Sequence, residues 1–341
     1  MSGHVTRAVD SHFHWYPRPH FEKLAARADN PRAVRDGDGY RYYFNNGRSY
    51  VPLPAVWFDL EAGLAASDAV GHDVTVVATT GVLAGVLDQT PLAAAVELAV
   101  DYNEHMAQAQ RSYPGRFFGT AAVPLADTAE AVAVAEHAIS DLGLRGINLP
   151  PRTAGGDSID APRLEPFYAR VEELGVPLIV HPTDLVFDEI LAGYETGLQR
   201  SLGRLVDSSV TILRLIFGGI MERHPALTVI QTHAGGLLPY QAGRIDKNAR
   251  IKGLPELPST YLKRTFTDIV APQELTIRTA LEFYGSDHVL YGTDYPCWSP
   301  KAAVAVLSDS GVSEADAARV LRGNAETALG IRAGSPELVK D

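Results

Sequence analysis

Strand-like and helical patterns alternate eight times along this 341-residue sequence. Several of the strand-like segments are continuous apolar runs, as at residues 176–180, which is typical of parallel strands buried on both faces. Eight alternating units predict a (β/α)₈ TIM barrel. A doubly wound open sheet is the alternative, but no G-x-G-x-x-G follows the first strand. The predicted strands cover residues 5–10, 73–79, 116–123, 143–149, 176–181, 227–233, 264–270 and 288–294.

Two stretches interrupt the alternation. Residues 15–58 follow the first strand, are rich in Arg, Asp, Gly and Tyr, and show little periodicity. Residues 183–200 form a shorter insertion after the fifth strand. Both follow the carboxyl end of a strand, where barrels of this kind build their active sites, so we expect pocket walls or a lid. Simple surface excursions are the alternative. We expect a single barrel domain over residues 1–341.

Composition excludes several classes of partner. The formal net charge is −11 and no run of Lys and Arg exceeds two residues, which argues against nucleic acid and anionic membranes. The most apolar stretches, such as residues 92–100, are too short to span a bilayer. A single cysteine, Cys297, excludes an internal disulfide framework and fits a reducing compartment. We therefore expect a cytoplasmic protein whose partner is a small-molecule substrate.

The first predicted strand ends in a D-x-H-x-H motif at residues 10–14. Alternate side chains of a strand share a face, so Asp10, His12 and His14 point the same way. Two imidazoles so placed make half of a metal site. A pair of hydrogen-bonded core histidines is the alternative.

Three further polar residues stand at the ends of predicted strands. His181 ends strand five, His233 ends strand six, and Asp294 ends strand eight. Each alone has a structural explanation, either a buried hydrogen-bonded histidine or an aspartate that caps the next helix. With His12 and His14, five polar residues meet at four strand ends of one predicted barrel. Such convergence predicts a metal site.

The ordered motifs resemble those of the amidohydrolase superfamily. They are D-x-H-x-H, the H-P of strand five, T-H-A-G-G at 232–236 and G-T-D-Y-P at 292–296, with Y-P-G-R-F at 113–117. The resemblance runs from about residue 10 to residue 329. It is strongest to the branch that includes aminocarboxymuconate-semialdehyde decarboxylase and related aromatic-acid decarboxylases.

This resemblance implies roles for the polar residues. One divalent metal, zinc or in some members manganese, is bound by a ligand set of His12, His14, His181 and Asp294. Three histidines, one carboxylate and an open position suit such an ion. His233 stands beside the metal as the general acid/base, and Asp294 also belongs to the catalytic residues. Asp10 supports the ligands without binding the metal.

Substrate-binding residues are also implied. Arg244 corresponds to an arginine that reaches a neighbouring subunit's site and holds the substrate carboxylate, which implies at least a homodimer. A solvated helix arginine is the alternative. A second arginine is expected near Val51, which is not basic; Arg48 is the nearest replacement and Arg41 is the alternative. Trp57 and Trp298 are candidates for contact with an aromatic substrate, although packing is the better explanation for Trp57.

The sequence thus predicts a metal-dependent, non-oxidative decarboxylase of an aromatic or muconate-like carboxylic acid. The alternative is a metal-dependent hydrolase or hydratase of the same superfamily, acting on an amide, ester, lactone or double bond. The same five residues serve either chemistry. A non-catalytic binding barrel would lack some of the ligands, and none is missing.

Overall fold

The chain forms an α/β fold in which strands and helices alternate. A computed structural model describes residues 6–44, 49–70, 72–83, 87, 90–151, 153, 157–183, 190–191, 193–194, 197–249, 251, 253–270 and 273–335. The strands are β1 Thr6–Phe13, β2 Arg32–Asp36, β3 Gly39–Phe44, β4 Ser49–Leu53, β5 His72–Ala78, β6 Phe117–Gly119, β7 Ile147–Leu149, β8 Leu178–Val180, β9 Val229–Gln231, β10 Phe266–Asp268 and β11 Val289–Leu290. Within the described residues, no helix combines the length and apolar character needed to cross a membrane.

The α-helices cover most of the remaining chain. They are α1 Arg18–Ala25, α2 Leu60–Asp68, α3 Leu92–Ser112, α4 Thr128–Glu136, α5 Glu165–Leu174, α6 Arg204–Phe217, α7 Ile220–Arg223, α8 Leu238–Asn248, α9 Pro258–Leu262, α10 Glu274–Tyr284, α11 Pro300–Asp309, α12 Glu314–Ala318 and α13 Asn324–Leu329.

All eight predicted strand segments contain a strand, namely β1 and β5 to β11. They form two parallel sheets, one with the order β1-β5-β6 and one with the order β11-β10-β9-β8-β7. Most strands are shorter than predicted, because only their central residues pair in register, as in Leu178–Val180 against Val229–Gln231. Since parallel strands share a direction, their carboxyl ends meet at one edge of each sheet.

The two parallel sheets touch along both of their outer edges. A parallel bridge joins Ala121, just after β6, to Ile147 in β7. On the other side, the Ser11 amide donates to the Tyr291 carbonyl over 2.9 Å, and Phe13 bridges Tyr295. One apolar cluster takes a single buried residue from each of six strands: Val9, Val77, Phe118, Ile179, Ile230 and Leu290.

The first insertion has more regular structure than its sequence suggested. After α1, residues 32–53 form a three-stranded antiparallel sheet, β2-β3-β4. Tyr40, Tyr42 and Phe44 alternate along β3 and are buried, and Phe21 of α1 packs on both tyrosines. The expectation of little periodicity was therefore wrong, because this aromatic repeat of two marks an amphipathic strand. Parts of the second insertion, residues 184–189, 192 and 195–196, lie outside the described residues.

The helices differ from the sequence pattern in several places. A helical pattern over residues 201–224 predicts one helix, but the structure breaks it between α6 and α7, where Gly219 has a φ of 72° that residues with a side chain rarely adopt. The pattern did not predict α1, α9, α11, α12 or α13, although Pro300 begins α11 and the Ser313 side chain caps α12 at its amino end.

Candidate metal centre

The polar residues singled out in the sequence lie at the carboxyl ends of four strands of the two parallel sheets. His12 is in the last part of β1, and His14 follows that strand directly. His181, His233 and Asp294 follow β8, β9 and β11. His233 and Asp294 both have positive φ angles, 59° and 54°, and such strained backbone is concentrated at functional sites.

Four of these side chains converge on one point. One ligand atom from each of His12, His14, His181 and Asp294 lies within 4.8 Å of all the others, and all four residues are buried. Asp294 Oδ1 is 2.9 Å from Nε2 of His14 and 3.5 Å from Nε2 of His12. The structure therefore places three imidazole nitrogens around one carboxylate.

The outer nitrogen of each imidazole has its own partner. His12 Nδ1 donates to Asp268 Oδ2 over 2.7 Å, and His181 Nδ1 donates to the Pro182 carbonyl over 2.8 Å. His14 Nδ1 lies 3.1 Å from the Thr79 hydroxyl. A proton on Nδ1 leaves the lone pair on Nε2, so the three rings present their free nitrogens to the centre.

Burial and mutual charge set the protonation of the cluster. Burial lowers the pKa of His14, and lowers that of His181 further, with the neighbouring histidines reinforcing the shift at His181. The charge of His12 and hydrogen bonds from His14 and His233 hold the pKa of Asp294 well below its usual range, although burial acts in the opposite direction. A neutral His14 and a neutral His181 beside an ionised Asp294 are the forms that bind a metal.

The donor set fits a single divalent cation. His12 Nε2 is buried and has no hydrogen-bond partner among the described residues, so it is an unsatisfied donor or acceptor unless something binds it. Three imidazole nitrogens and one carboxylate oxygen are ligands that zinc and manganese accept. The residues present can therefore hold one such ion.

His233 lies beside this group and is not one of the four. Its ring centroid is 5.1 Å from that of His12 and 5.4 Å from that of His181, and its Nε2 is 3.7 Å from Asp294 Oδ2. The Thr232 hydroxyl donates to the Val180 carbonyl, so it can accept a proton from His233 Nδ1 at 3.0 Å. His233 thus presents Nε2 to the centre, as an acid/base group must.

Asp268 is a site residue that the sequence reasoning missed. It is 1% exposed and accepts hydrogen bonds from His12 Nδ1 and from the backbone amides of Ala234 and Val270. Asp268 therefore connects His12, through hydrogen bonds, to the loop that carries His233. A signal was available, because Asp268 ends β10 just as Asp294 follows β11.

Asp10 stabilises the backbone next to the cluster without being one of its four residues. It accepts hydrogen bonds from the Thr293 amide and hydroxyl and from the His12 amide, at 3.0, 2.6 and 3.2 Å. It thereby ties the end of β1 to the segment that carries Asp294. Burial raises the pKa of Asp10 to about 7, although the hydrogen bond from Thr293 opposes this shift.

A cleft of about 280 Å³ opens above the centre. Part of its lining comes from the first insertion and is apolar: Val51, Pro52, Leu53, Pro54 and Trp57. Trp57 stacks on His14 and Tyr16, with ring centroids 5.6 and 5.5 Å apart. Arg200 and Arg204, which the sequence reasoning did not single out, contribute the cationic part of the lining.

The other predicted substrate residues are distributed differently. Trp298 is 48% exposed and does not belong to the described cleft lining, whereas its neighbour Cys297 does. Arg244 is exposed on α8 and is also outside the described lining. Arg48 lies outside the described residues.

Comparisons of the chain with a family model and with known proteins agree on one family. Residues 9–331 match the family described as Amidohydrolase. The chain is 30% identical over 249 residues to the 2-amino-3-carboxymuconate-6-semialdehyde decarboxylase of Dictyostelium discoideum, covering 70% of this chain and 67% of the relative. It is also 30% identical to the gamma-resorcylate decarboxylase of Rhizobium sp. (strain MTP-10005), covering 68% of this chain and 75% of the relative.

A solved structure shares the fold. The dihydroxybenzoic acid decarboxylase of Polaromonas sp. JS666, with bound manganese and the inhibitor 2-nitroresorcinol, superimposes with a TM-score of 0.77 at 21% identity, covering 95% of this chain and 97% of that one. The chain belongs to the amidohydrolase superfamily, in the branch of aminocarboxymuconate-semialdehyde decarboxylase and related enzymes.

Proposed function

We propose that this protein is a metal-dependent, non-oxidative decarboxylase of an aromatic or muconate-like carboxylic acid. The observation that carries the proposal is the buried cluster of three histidines and one aspartate beneath a cleft, with His233 beside it. The relatives named as decarboxylases support the same reaction class.

The proposed ligands are His12, His14, His181 and Asp294, through the atoms that converge in the structure. Zinc suits three histidines and one carboxylate, and manganese, present in the Polaromonas structure, is the second choice. When bound, the metal supplies Lewis acidity toward the oxygens of the acid. Asp268 and Asp10 hold the ligands and their loops in place.

His233 would supply the proton that decarboxylation needs. As imidazolium it donates from Nε2 to the ring carbon that carries the carboxylate. The bond between that carbon and the carboxylate then breaks, its electron pair restores the aromatic ring, and carbon dioxide leaves. The neutral imidazole takes a proton back from solvent, and the Nδ1 contact with Thr232 keeps Nε2 facing the substrate.

The insertion would hold the ring of the substrate. Trp57 presents a flat aromatic surface at the cleft, already aligned by stacking on Tyr16. The nearby Val51 and Leu53 are buried and apolar, so the wall favours a planar hydrocarbon and excludes water.

We extend the proposal to the fold, the oligomeric state and the cellular location of the chain. Contacts at both outer edges of the two parallel sheets, and the shared apolar cluster of six strands, favour a closed (β/α)₈ barrel that forms a single domain with two insertions. The exposed Arg244 is available to a second copy, which favours a homo-oligomer. The single cysteine favours the cytoplasm.

Product analysis tests the reaction. Metal-reconstituted protein is incubated with a panel of aromatic acids, their amides and lactones, and the products are examined by mass spectrometry. We expect one member to lose the mass of carbon dioxide, and the His233→Asn protein to leave it unchanged. A gain of water with no loss of carbon dioxide from any member would replace the decarboxylase by the hydrolase or hydratase.

A further inference from the structure

We propose that Asn148 is a positioning residue of the metal centre, because its side chain fixes residues 79–81, the segment that holds His14. Asn148 is neither one of the four clustered residues nor part of the described cleft lining, so it acts on the centre through this segment. The inference rests on the proposed function for the role of His14 as a metal ligand.

The side chain of Asn148 joins the ends of three strands. Asn148 lies in β7 and is 1% exposed. Its Nδ2 donates to the Thr120 hydroxyl over 2.7 Å and to the Ala121 carbonyl over 3.0 Å, both shortly after β6. Its Oδ1 accepts from the Thr80 amide over 3.2 Å, shortly after β5. One amide group therefore links β7 to the segments that follow β5 and β6.

The orientation of this amide group is fixed by its partners. The Thr120 hydroxyl donates to the Ala78 carbonyl over 2.7 Å, so it can only accept from Asn148. The Ala121 carbonyl is also an acceptor. The Nδ2 atom must therefore face both of these groups, and Oδ1 is left facing the Thr80 amide.

Residues 79–81 lie directly against His14. The Thr79 hydroxyl is 3.1 Å from His14 Nδ1, and the Thr79 amide donates to the Phe13 carbonyl over 2.9 Å. Gly81 has a φ of 52°, and a Cβ at this position would lie only 3.1 Å from His14 Cε1. The backbone of Gly81 therefore packs beside the imidazole ring. A movement of this segment would change the direction in which Nε2 of His14 points.

The Thr80 amide makes the segment depend on Asn148. Thr80 is fully buried, and within the described part of the chain its amide has no acceptor other than Asn148 Oδ1. A buried amide without a partner is unfavourable. Without the asparagine, the segment should therefore shift to satisfy this amide and draw the Thr79 hydroxyl away from His14.

Asn103 provides the matched control. It is also 1% exposed, and its side chain also holds backbone: Nδ2 donates to the Ala122 carbonyl over 3.0 Å, and Oδ1 accepts from the Ala122 amide over 2.9 Å. These bonds join α3 to the chain after β6 and do not involve residues 79–81. Loss of Asn103 should therefore lower stability without moving His14.

Metal affinity tests the inference. Metal-free protein is titrated with Zn²⁺ in competition with a chromogenic chelator, and circular dichroism verifies folding. We expect Asn148→Ala to weaken Zn²⁺ binding roughly 3- to 30-fold, somewhat less than the loss of a direct partner of a ligand. Asn103→Ala should change the affinity less than about twofold, because an effect on stability alone does not reach the ligands.

A double-mutant cycle tests the route through Thr79. Thr79→Val removes the hydroxyl that faces His14 and should itself weaken Zn²⁺ binding. Adding Asn148→Ala to Thr79→Val should cost no more than about twofold beyond the larger single effect, because both changes release the same contact. Independent, multiplying effects of the two substitutions would overturn the proposed route.

Asn148→Ser is the second variant, for the case that Asn148→Ala does not fold. Its side chain is one bond shorter and cannot reach the Thr80 amide, so the same loss of affinity is expected. Parental affinity in a folded Asn148 variant, or an equal loss in Asn103→Ala, would overturn the inference.

Failure of the proposed function would give a different result. If His14 were not a ligand, His14→Ala would leave Zn²⁺ affinity unchanged, whereas failure of this inference alone would spare only the Asn148 variants. The titrations need no turnover, so failure of the decarboxylase assignment would show separately, as absence of carbon dioxide from every acid.

Discussion

His12 Nδ1 and Asp268 Oδ2 lie 2.7 Å apart in the interior, where both side chains are 1% exposed. Although burial opposes both shifts, this contact contributes to raising the pKa of His12 and lowering that of Asp268. Because the carboxylate accepts the proton on Nδ1, His12 is oriented with Nε2 toward Asp294. A residue that touches no substrate thus determines which nitrogen of the histidine is available to a metal.

Replacing Asp268 by asparagine should weaken metal binding. The amide nitrogen in place of Oδ2 is a donor that faces the His12 Nδ1 proton, so the ring is driven toward the tautomer that cannot bind through Nε2. We expect a loss of roughly 10- to 100-fold in metal affinity, measured by competition with a chromogenic chelator. Asp141→Asn is the matched control, since Asp141 pairs with His137 on the surface. Equal affinities in both variants would contradict the role of Asp268.

His181→Ala should remove one ligand and empty the site. The side chain is buried and its Nδ1 is held by the Pro182 carbonyl, so its Nε2 faces the cluster and is lost with the ring. We expect metal content, measured by mass spectrometry after gel filtration, to fall from near one ion per chain to near zero. Circular dichroism verifies folding. A folded variant with full metal content would show that His181 is not a ligand.

His233→Asn should separate chemistry from metal binding. His233 is outside the four-residue ligand group, so metal content should stay at the parental level. Loss of the group that delivers the proton should lower kcat roughly 10²- to 10⁴-fold. Measuring kcat and metal content on the same preparation makes the test decisive. Parental kcat would exclude an acid/base role, and loss of metal would make His233 a ligand.

Trp57 and Trp298 offer a paired test of the substrate wall. Trp57 lines the cleft, whereas Trp298 is 48% exposed and outside its described lining. Trp57→Leu should raise KM about 3- to 10-fold, because an aromatic contact with the ring is lost, while Trp298→Leu should leave KM unchanged. Steady-state kinetics on the best acid of the panel measure both. A larger effect at Trp298 would place the substrate elsewhere.

The parts of the site that the sequence revealed share one property. His181, His233 and Asp294 follow apolar strands, and strand direction alone brings such positions to one face of a parallel sheet. Asp268 obeys the same rule, but it lies within the mixed run F-T-D-I-V at 266–270 and does not follow a continuous apolar run, so its position at a strand end was overlooked. Its role depends on the distance to His12, which the chain order does not contain.

The cleft wall shows a second limit of prediction from the sequence. Residues 15–58 were expected to form a wall or a lid, and Val51, Leu53 and Trp57 do line the cleft. The sheet that carries Val51 and Leu53, β2-β3-β4, packs through long-range aromatic contacts such as Phe21 with Tyr40, which local patterns do not encode. For the same reason Arg200, nineteen residues after His181, was not singled out, because only the fold brings the helical turn Gln199–Gly203 to the cleft.

Stability should depend on pH through His20, away from the metal centre. His20 is buried, with Nδ1 2.7 Å from Asp101 Oδ2, and lies near the cation Lys23. Burial lowers the pKa of His20 below its value of 6.5 in an unfolded chain, even though Asp101 opposes the shift. The unfolded chain therefore binds the proton more readily, and stability is fully present above about pH 6.5 and is lost as the pH falls through the folded pKa.

Replacing His20 by glutamine removes this titration. The variant should be about 1–3 kcal/mol less stable at pH 8, because it leaves the Asp101 contact imperfect. The stability deficit of the variant relative to the parent should shrink as the pH falls from 7 to 5. Protonation of His20 destabilises the parent over this range and cannot occur in the variant. Urea unfolding of both proteins at matched pH values gives the difference in their free energies of unfolding. The contributions of the metal-centre histidines are the same in both proteins and cancel in this difference. A deficit that stays constant or grows toward pH 5 would mean that His20 does not resist protonation in the folded protein.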